Sequence, residues 1–232
     1  MNQNKTAKYF KYAIGEIILV VIGILIALQI NNWNQRSKEQ KLEQNYVELL
    51  TQDLQSDAEN LTDLVMVSNK IVNSKHILLD YFDGKTGKPD SLSIHFLRGI
   101  FSSIQNFVPN KGAIEEVKNA GGLSLIKDEM LRSQILKLYN AYDSMEENTG
   151  KNYVENRNIM RDLVYEKTNG RLFITHEIID QNLLNDIIKD NEIQNRLVNN
   201  FALSNNQELK ELLQLNIETI EICTDYIQQL ND

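Results

Sequence analysis

The clearest feature in the pattern of apolar and polar positions is an unbroken apolar stretch near the N-terminus. From Ile17 to Leu28 the chain reads IILVVIGILIAL, in which ten of twelve residues are Ile, Leu or Val. At about −0.4 kcal/mol each, these ten contribute about −4 kcal/mol to membrane insertion. With its flanks the segment has about 19 residues and would extend about 28 Å as a helix, close to the hydrocarbon thickness. The pattern predicts one transmembrane helix over residues 12–30.

Two other interpretations of this segment are a cleaved signal peptide and a buried helix of a soluble protein. A signal peptidase site needs small residues at alternate positions, and the sequence from Ala27 to Asn32 does not provide them. A buried helix would leave the basic N-terminal flank and the aromatic residues at both ends, such as Trp33, without a role. We therefore favour a permanent, single-pass signal-anchor.

The charges beside the apolar segment predict its orientation. Lys5, Lys8 and Lys11 precede it with no acidic residue among them. Basic residues concentrate on the cytoplasmic side of membrane helices. We expect residues 1–11 to be a short cytoplasmic tail at the inner (plasma) membrane. Residues 31–232 would then form an extracytoplasmic domain in the periplasm.

Beyond the predicted membrane segment, the chain from Gln35 to Phe82 is predicted as one long helix, in which apolar residues recur at alternating spacings of three and four from Val47 onward. On this seam Asp57, Ser68 and Lys75 are the polar exceptions. The other eight of its eleven positions are apolar: Val47, Leu50, Leu54, Leu61, Leu64, Ile71, Leu78 and Phe82. This spacing is typical of a helix packed in a bundle. It predicts that one long helix continues out of the membrane into the domain.

Turn-forming residues divide the rest of the chain into further helices. The predicted segments are a loop at 83–90, a short helix at 91–105, a helix from 110 to a stop at Gly121-Gly122, a long helix at 128–167, and a last helix capped by Asp190 and ending near Leu230. Two points stay open: Gly150 and Asn152 could break the long helix in two, and residues 171–188 are ambiguous. The predicted fold class is all-α, with an N-terminal transmembrane helix continuing into a periplasmic bundle of three long helices plus shorter helices.

Charge and cysteine content narrow the classes of partner. The chain has net charge −8, and without Lys5, Lys8, Lys11 and Glu16 the remainder has 21 basic and 31 acidic residues. An acidic domain repels phosphate backbones, which disfavours nucleic-acid binding. The single cysteine, Cys223, excludes an intramolecular disulfide and a multi-cysteine metal site, and its position predicts a small buried hydrophobe.

Residues capable of catalysis or metal binding do not form a recognisable motif. The three histidines are far apart in sequence, and none lies at a zinc-site spacing. Asp53 and Asp57, four residues apart, could bind a cation or share a proton, but we favour a solvated acidic helix face. No nucleophile has a catalytic sequence context. We expect no enzyme activity, no catalytic residue, and no metal or cofactor.

Small residues within the apolar segment are candidates for helix–helix packing. Gly15, Gly23 and Ala27 lie at spacings of eight and four, on one face of a helix, and Glu16 is the acidic residue beside them. Small residues let two membrane helices approach closely. We expect the segment to contact the lipid bilayer. These four residues are our candidates for self-association or for contact with another membrane protein.

Asn216 and three residues of the long central helix could form a polar layer in the bundle. Asn216 falls between Leu213 and Ile220 on the apolar stripe of the last helix, and the other three are Thr149, Asn152 and Asn156. Such layers usually fix helix register. If several met, they would line a small-ligand pocket.

The segment from Lys11 to Asn34 resembles the opening of Domain of Unknown Function 6090, a family of uncharacterised membrane proteins of Bacteroidota-type Gram-negative bacteria. Weaker similarity continues from Ala113 to Tyr139, and the resemblance extends over essentially the whole chain. It implies a single-pass anchor and a helical domain facing the periplasm. It implies no activity and no catalytic residues.

These observations lead to one functional expectation and two alternatives. We expect a membrane-anchored periplasmic helical module for protein interaction or scaffolding, with a membrane or periplasmic protein as partner. A cytoplasmic tail of about eleven residues is too short for a kinase or relay domain. The alternatives are a small-molecule-binding helical sensor that acts through a membrane partner, and an enzyme.

Overall fold

The structure of this chain is a computed structural model, which describes residues 4–101, 107–167, 181–203 and 206–231. Within those ranges it contains helices, turns and no strand, which confirms the all-α fold class. The helices are α1 (Asn4–Phe82), α2 (Leu92–Phe101), α3 (Gly112–Ala120), α4 (Glu129–Lys167), α5 (Gln181–Lys189), α6 (Asn191–Leu203) and α7 (Gln207–Asn231), with a 3-10 turn at Leu123–Leu125.

Helix α1 is a single rod of 79 residues, which extends about 118 Å at the α-helical rise. It contains the apolar segment, the residues that link this segment to the domain, and the seam predicted from Val47 onward. Every residue from Ile14 to Arg36 is exposed, although the most apolar 18-residue window has a mean hydropathy of 2.3. α1 is therefore long and apolar enough to cross a membrane, and no residue of its most apolar window is buried in the domain.

The domain has two apolar cores arranged along α1. The first surrounds α1 between Tyr46 and Ile71 and includes side chains of α3, the first half of α4, and α7. The second surrounds Leu78 and includes side chains of α2, the end of α4, α5 and α6. The helices α1, α4 and α7 all contribute to the first core, and the shorter helices complete both cores.

The predicted seam of α1 faces these cores, and so do its three polar exceptions. Asp57 and Ser68 are completely buried, and Lys75 is 6 % exposed. Burial lowers the pKa of Lys75 to about 8. The periodicity therefore identified the buried face even at positions where the residue type is one that favours solvent.

The helix boundaries confirm one predicted stop and settle one open question. Gly121 and Gly122 end α3 with φ values of 135° and 83°, which glycine adopts without steric cost. The Gly122 N–H donates to the Val117 carbonyl at 2.9 Å. Helix α4 is one continuous helix of 39 residues, unbroken at Gly150 and Asn152.

The prediction of one continuous helix from Asp190 to Leu230 is wrong, because α6 ends at Leu203 and α7 begins at Gln207. Asp190 does cap α6, since its Oδ1 accepts from the N–H groups of Glu192 at 2.9 Å and Ile193 at 3.2 Å. Asn206, directly before α7, is not helical, and Asn is a residue that favours caps over helix interiors. Asn206 there donates its side-chain N–H to Asn69 on α1 at 2.6 Å.

Residues 171–180 of the segment that the sequence left ambiguous lie outside the described residues. Residues 181–189 form α5. This helix contributes Ile187 and Ile188 to the second core. It is followed directly by Asp190, whose carboxylate caps α6 and accepts a hydrogen bond from Lys167 at 2.6 Å.

Candidate functional site: a buried polar cluster between α1, α4 and α7

Asp57 is the most unusual buried group in the first core. It is completely buried on α1, which contradicts the interpretation of its helix face as solvated. Its Oδ1 accepts from the backbone N–H of Asn110 at 2.9 Å and from the Asn110 side chain at 3.0 Å. This carboxylate was missed as a core residue because an acidic side chain was assigned to solvent, although its position on the seam indicated burial.

Asp53, one turn before Asp57, completes the attachment of the same segment. Its Oδ2 accepts from the backbone N–H of Ala113 at 2.8 Å. Lys111 at the start of α3 makes no side-chain capping bond. An acidic residue of α1 therefore accepts a hydrogen bond from a free first-turn N–H of α3. A negative charge at this end of a helix also interacts favourably with the helix dipole.

Tyr142 of α4 and Asn216 of α7 meet beside Asp57. Both side chains are completely buried, and the Asn216 Nδ2 donates to the Tyr142 hydroxyl. The Tyr142 ring also packs against Phe107 at 5.0 Å and, edge-on, against Tyr139 at 5.4 Å between ring centroids. The cluster therefore links α4, α7 and the segment that leads into α3.

Three atoms of this cluster lack a hydrogen-bond partner within the described part of the chain. They are Asp57 Oδ2, the Tyr139 hydroxyl and Asn216 Oδ1. A buried polar atom without a partner costs about 1–3 kcal/mol. Most buried polar atoms in folded proteins do have partners, so three unpartnered atoms in one cluster are unusual for a core.

Burial controls the protonation of the cluster. The net pKa of Asp57 is raised to about 6, mainly by burial; the hydrogen bonds from Asn110 and Tyr142 lower this pKa, and the nearby negative charge of Asp53 raises it. Burial also raises the pKa of Tyr139 and of Tyr142 above the ordinary value of a phenol. Near neutral pH the two phenols are therefore protonated, while the Asp57 carboxyl can gain or lose a proton.

A second polar junction lies on α1 nearer the apolar segment. The Glu43 side chain is 2 % exposed, and its Oε1 accepts from the Lys127 backbone N–H at 2.5 Å and from the Tyr226 hydroxyl at 2.6 Å. Burial and the contact with Glu43 raise the pKa of Tyr226. This carboxylate joins α1, the segment before α4 and the end of α7.

Of the polar layer predicted from sequence, the structure describes the surroundings of Asn216 alone. It is buried at a core position of α7, but its partner is Tyr142. The side chains of Thr149, Asn152 and Asn156 lie outside the described residues, so their role in a shared layer stays a prediction.

The predicted transmembrane packing residues lie along one exposed part of α1. Gly15, Glu16, Gly23 and Ala27 are all exposed. A Cβ built at Gly15 or Gly23 would meet no atom within 4 Å apart from the neighbouring backbone of its own helix. The face is open to another helix or to lipid, and its use in packing stays a prediction.

The surroundings of His95 and Cys223 are those of structural residues in a folded domain. His95 contacts the hydroxyls of Ser91 at 3.0 Å and Ser74 at 3.1 Å through its two ring nitrogens. Cys223 is completely buried, and burial raises the pKa of its thiol to about 11, which keeps it protonated. Among the described residues, no group of three or more His, Cys, Asp or Glu side chains is placed to hold a metal ion.

An open cleft of about 380 Å³ lies on the surface between α4 and α7. Its lining mixes apolar and polar side chains, with both acidic residues on α7, and consists of Ala141, Ser144, Met145, Glu208, Glu211, Leu212 and Leu215. The polar cluster around Asp57 is separate from it, because none of the cluster's residues lines this cleft.

Comparison with known proteins identifies the family of this chain from its sequence. The family model described as "Family of unknown function (DUF6090)" matches residues 16–205, which is more than half of the chain. No curated protein and no solved structure matches the chain significantly. The matched region begins at the start of the apolar segment and includes most of α1 and all of α2 to α6, so it contains both Asp57 and Tyr142. The chain belongs to the DUF6090 family.

Proposed function

We propose that this protein is an inner-membrane-anchored helical module whose periplasmic domain binds other proteins or holds them in place. The observation that carries the proposal is the continuity of α1. One helix supplies both an exposed apolar segment of membrane-spanning length and the central element of the folded domain. A domain built on its own anchor is held at a fixed height and orientation relative to the bilayer, as a scaffold requires.

Exposed apolar side chains on the domain support a protein partner. Met66 on α1 and Leu136 on α4 are each 51 % exposed, and Met130 at the start of α4 is 79 % exposed. Single exposed apolar residues are common on monomers. The positions are nevertheless the natural places to look for a partner, since contact there would remove apolar surface from water.

Site-specific photocrosslinking in native membranes tests the interaction. A photoreactive residue replacing Met66, Met130 or Leu136 in the full chain should give at least one adduct of defined mass. Leu138, which is completely buried on α4, is the matched control and should give no intermolecular adduct. Absence of adducts at all three exposed positions would contradict an interaction role for these surfaces. Mass spectrometry of the adducts would separate self-association from a different protein partner.

A reporter fused after Asp232 tests the proposed orientation. The basic flank before the apolar segment predicts a cytoplasmic N-terminus. We expect a fusion of alkaline phosphatase, which is active only in the periplasm, to be active, and a fusion of a fluorescent protein that matures only in the cytoplasm to be dark. The reverse pair of results would overturn the orientation.

The cleft between α4 and α7 is the observation that favours the alternative sensor function. Its volume of about 380 Å³ lies within the range of small-molecule sites. Its acidic residues Glu208 and Glu211 would favour a cationic ligand over an anionic one. For an enzyme, the titratable groups that do converge, Asp53, Asp57, Tyr139 and Tyr142, lie around the core and do not line this cleft.

A further inference from the structure

We infer that Asp57 is a proton-binding group through which acid tightens the attachment of residues 107–113 to α1. This goes beyond the scaffold function, which makes no reference to pH. The inference begins from position: the carboxyl lies at the contact between α1 and the segment that leads into α3, and it is completely buried there.

The two oxygens of Asp57 have different surroundings. Oδ1 accepts hydrogen bonds from the backbone N–H and the side-chain N–H of Asn110, whereas Oδ2 has no hydrogen-bond partner among the described residues. The Oδ1 of Asn216 is likewise a buried acceptor without a donor. A proton on Asp57 Oδ2 removes a buried charge and converts that atom from an acceptor into a donor, in a cluster where two buried acceptor atoms have no donor.

Burial and the charge of Asp53 favour the neutral carboxyl, whereas the hydrogen bonds from Asn110 and Tyr142 favour the ionised form and only partly offset them. Within the described part of the chain, no cation forms an ion pair with Asp57; Lys111 at the rim pairs instead with Asp143 at 3.0 Å and Glu146 at 3.5 Å. The other titratable and polar groups around Asp57, taken element by element, are Asp53 on α1, Asn110 before α3, Tyr139 and Tyr142 on α4, and Asn216 and Cys223 on α7. Asp53 is the acid among them, and its negative charge opposes ionisation of Asp57.

The sign of the effect follows from the two states of the segment. When residues 107–113 are attached, the pKa of Asp57 is about 6; when they detach and water reaches the carboxyl, it returns toward 3.8. The attached state thus binds the proton more tightly, so attachment strengthens as pH falls through 6 and gains nothing further below the detached value. Between pH 7.5 and pH 5, linkage gives a strengthening of about tenfold in the attachment equilibrium.

Hydrogen–deuterium exchange of the full chain in detergent micelles tests this directly. The amides of Asn110 and Ala113 exchange only when the segment detaches, because they donate to Asp57 and Asp53. After correction for intrinsic exchange, protection of the peptide spanning 107–117 should be about tenfold greater at pH 5 than at pH 7.5. Asp57→Asn, which cannot titrate, should abolish this difference. Asp63→Asn, an exposed change on the same helix, should leave it intact.

Two results would overturn the proposal: equal protection at both pH values in the unchanged protein, or a tenfold difference that survives Asp57→Asn. If Asp57→Asn does not fold, infrared titration of the unchanged protein with ¹³C-labelled aspartate carboxyls answers the same question. One aspartate should be half-protonated near pH 6. If all aspartates instead lose their protons below pH 5, Asp57 is not the proton-binding group.

Discussion

Replacing Val21 and Ile22 together with lysine should remove the protein from the membrane. Each lysine near the centre of the span costs about 3 kcal/mol and also removes an apolar residue, so the insertion free energy changes from about −4 to about +3 kcal/mol. The measurement is the fraction of full-length protein that stays in the membrane pellet after a carbonate wash. For the unchanged chain we expect retention under carbonate and release by detergent.

The same helix provides the control for this experiment. Met66 and Val67 are also adjacent apolar residues on α1, 51 % and 43 % exposed, but they lie in the domain. Lysine at both of these positions should leave carbonate-resistant retention unchanged. If the Val21/Ile22 variant is retained as well, the segment is not held in hydrocarbon. If instead the unchanged protein is shortened at its N-terminus and soluble, the signal-peptide interpretation is correct.

Tyr142→Ala should lower the free energy of unfolding by roughly 3–5 kcal/mol, the range for truncating a large buried aromatic side chain. The change leaves a cavity beside Phe107 and Tyr139 and removes the acceptor of the Asn216 side chain. Tyr142→Phe keeps the ring and removes only the hydroxyl, so it should cost about 1–2 kcal/mol. Urea unfolding of the full chain in micelles, followed by pulse proteolysis, measures both values.

Tyr165 is the matched comparison for Tyr142. It lies on the same helix, α4, and is 37 % exposed. Tyr165→Ala should change the free energy of unfolding by less than about 1 kcal/mol. Equal losses of unfolding free energy at the two positions would contradict the assignment of Tyr142 to the centre of the core. An unchanged unfolding free energy in Tyr142→Phe would show that the Asn216 hydrogen bond contributes nothing measurable.

The candidate site was only partly predictable from sequence. Asn216 could be found because it interrupts an apolar stripe with a small polar side chain, a pattern that indicates a core position. Asp57 interrupts the seam of α1 in the same way, yet a carboxylate is so rarely buried that residue type argued for solvent. Its partner Asn110 is 53 residues away in sequence. No local pattern contains that pairing, and it is the pairing that makes the burial of Asp57 possible.

The sequence alone determined the helical class, the long α1 with its apolar segment, and the stop at Gly121-Gly122, because helix periodicity and the demand for a positive φ are local properties. Tertiary structure decided the rest. Packing brings Asp53 and Asp57 into hydrogen-bonding contact with the segment that begins α3. It also pairs Tyr142 with Asn216, and it places Asn206, between α6 and α7, against Asn69. In each case a buried or partly buried polar group obtains its partner from a distant part of the chain, and the partner's position is known only once the helices have packed.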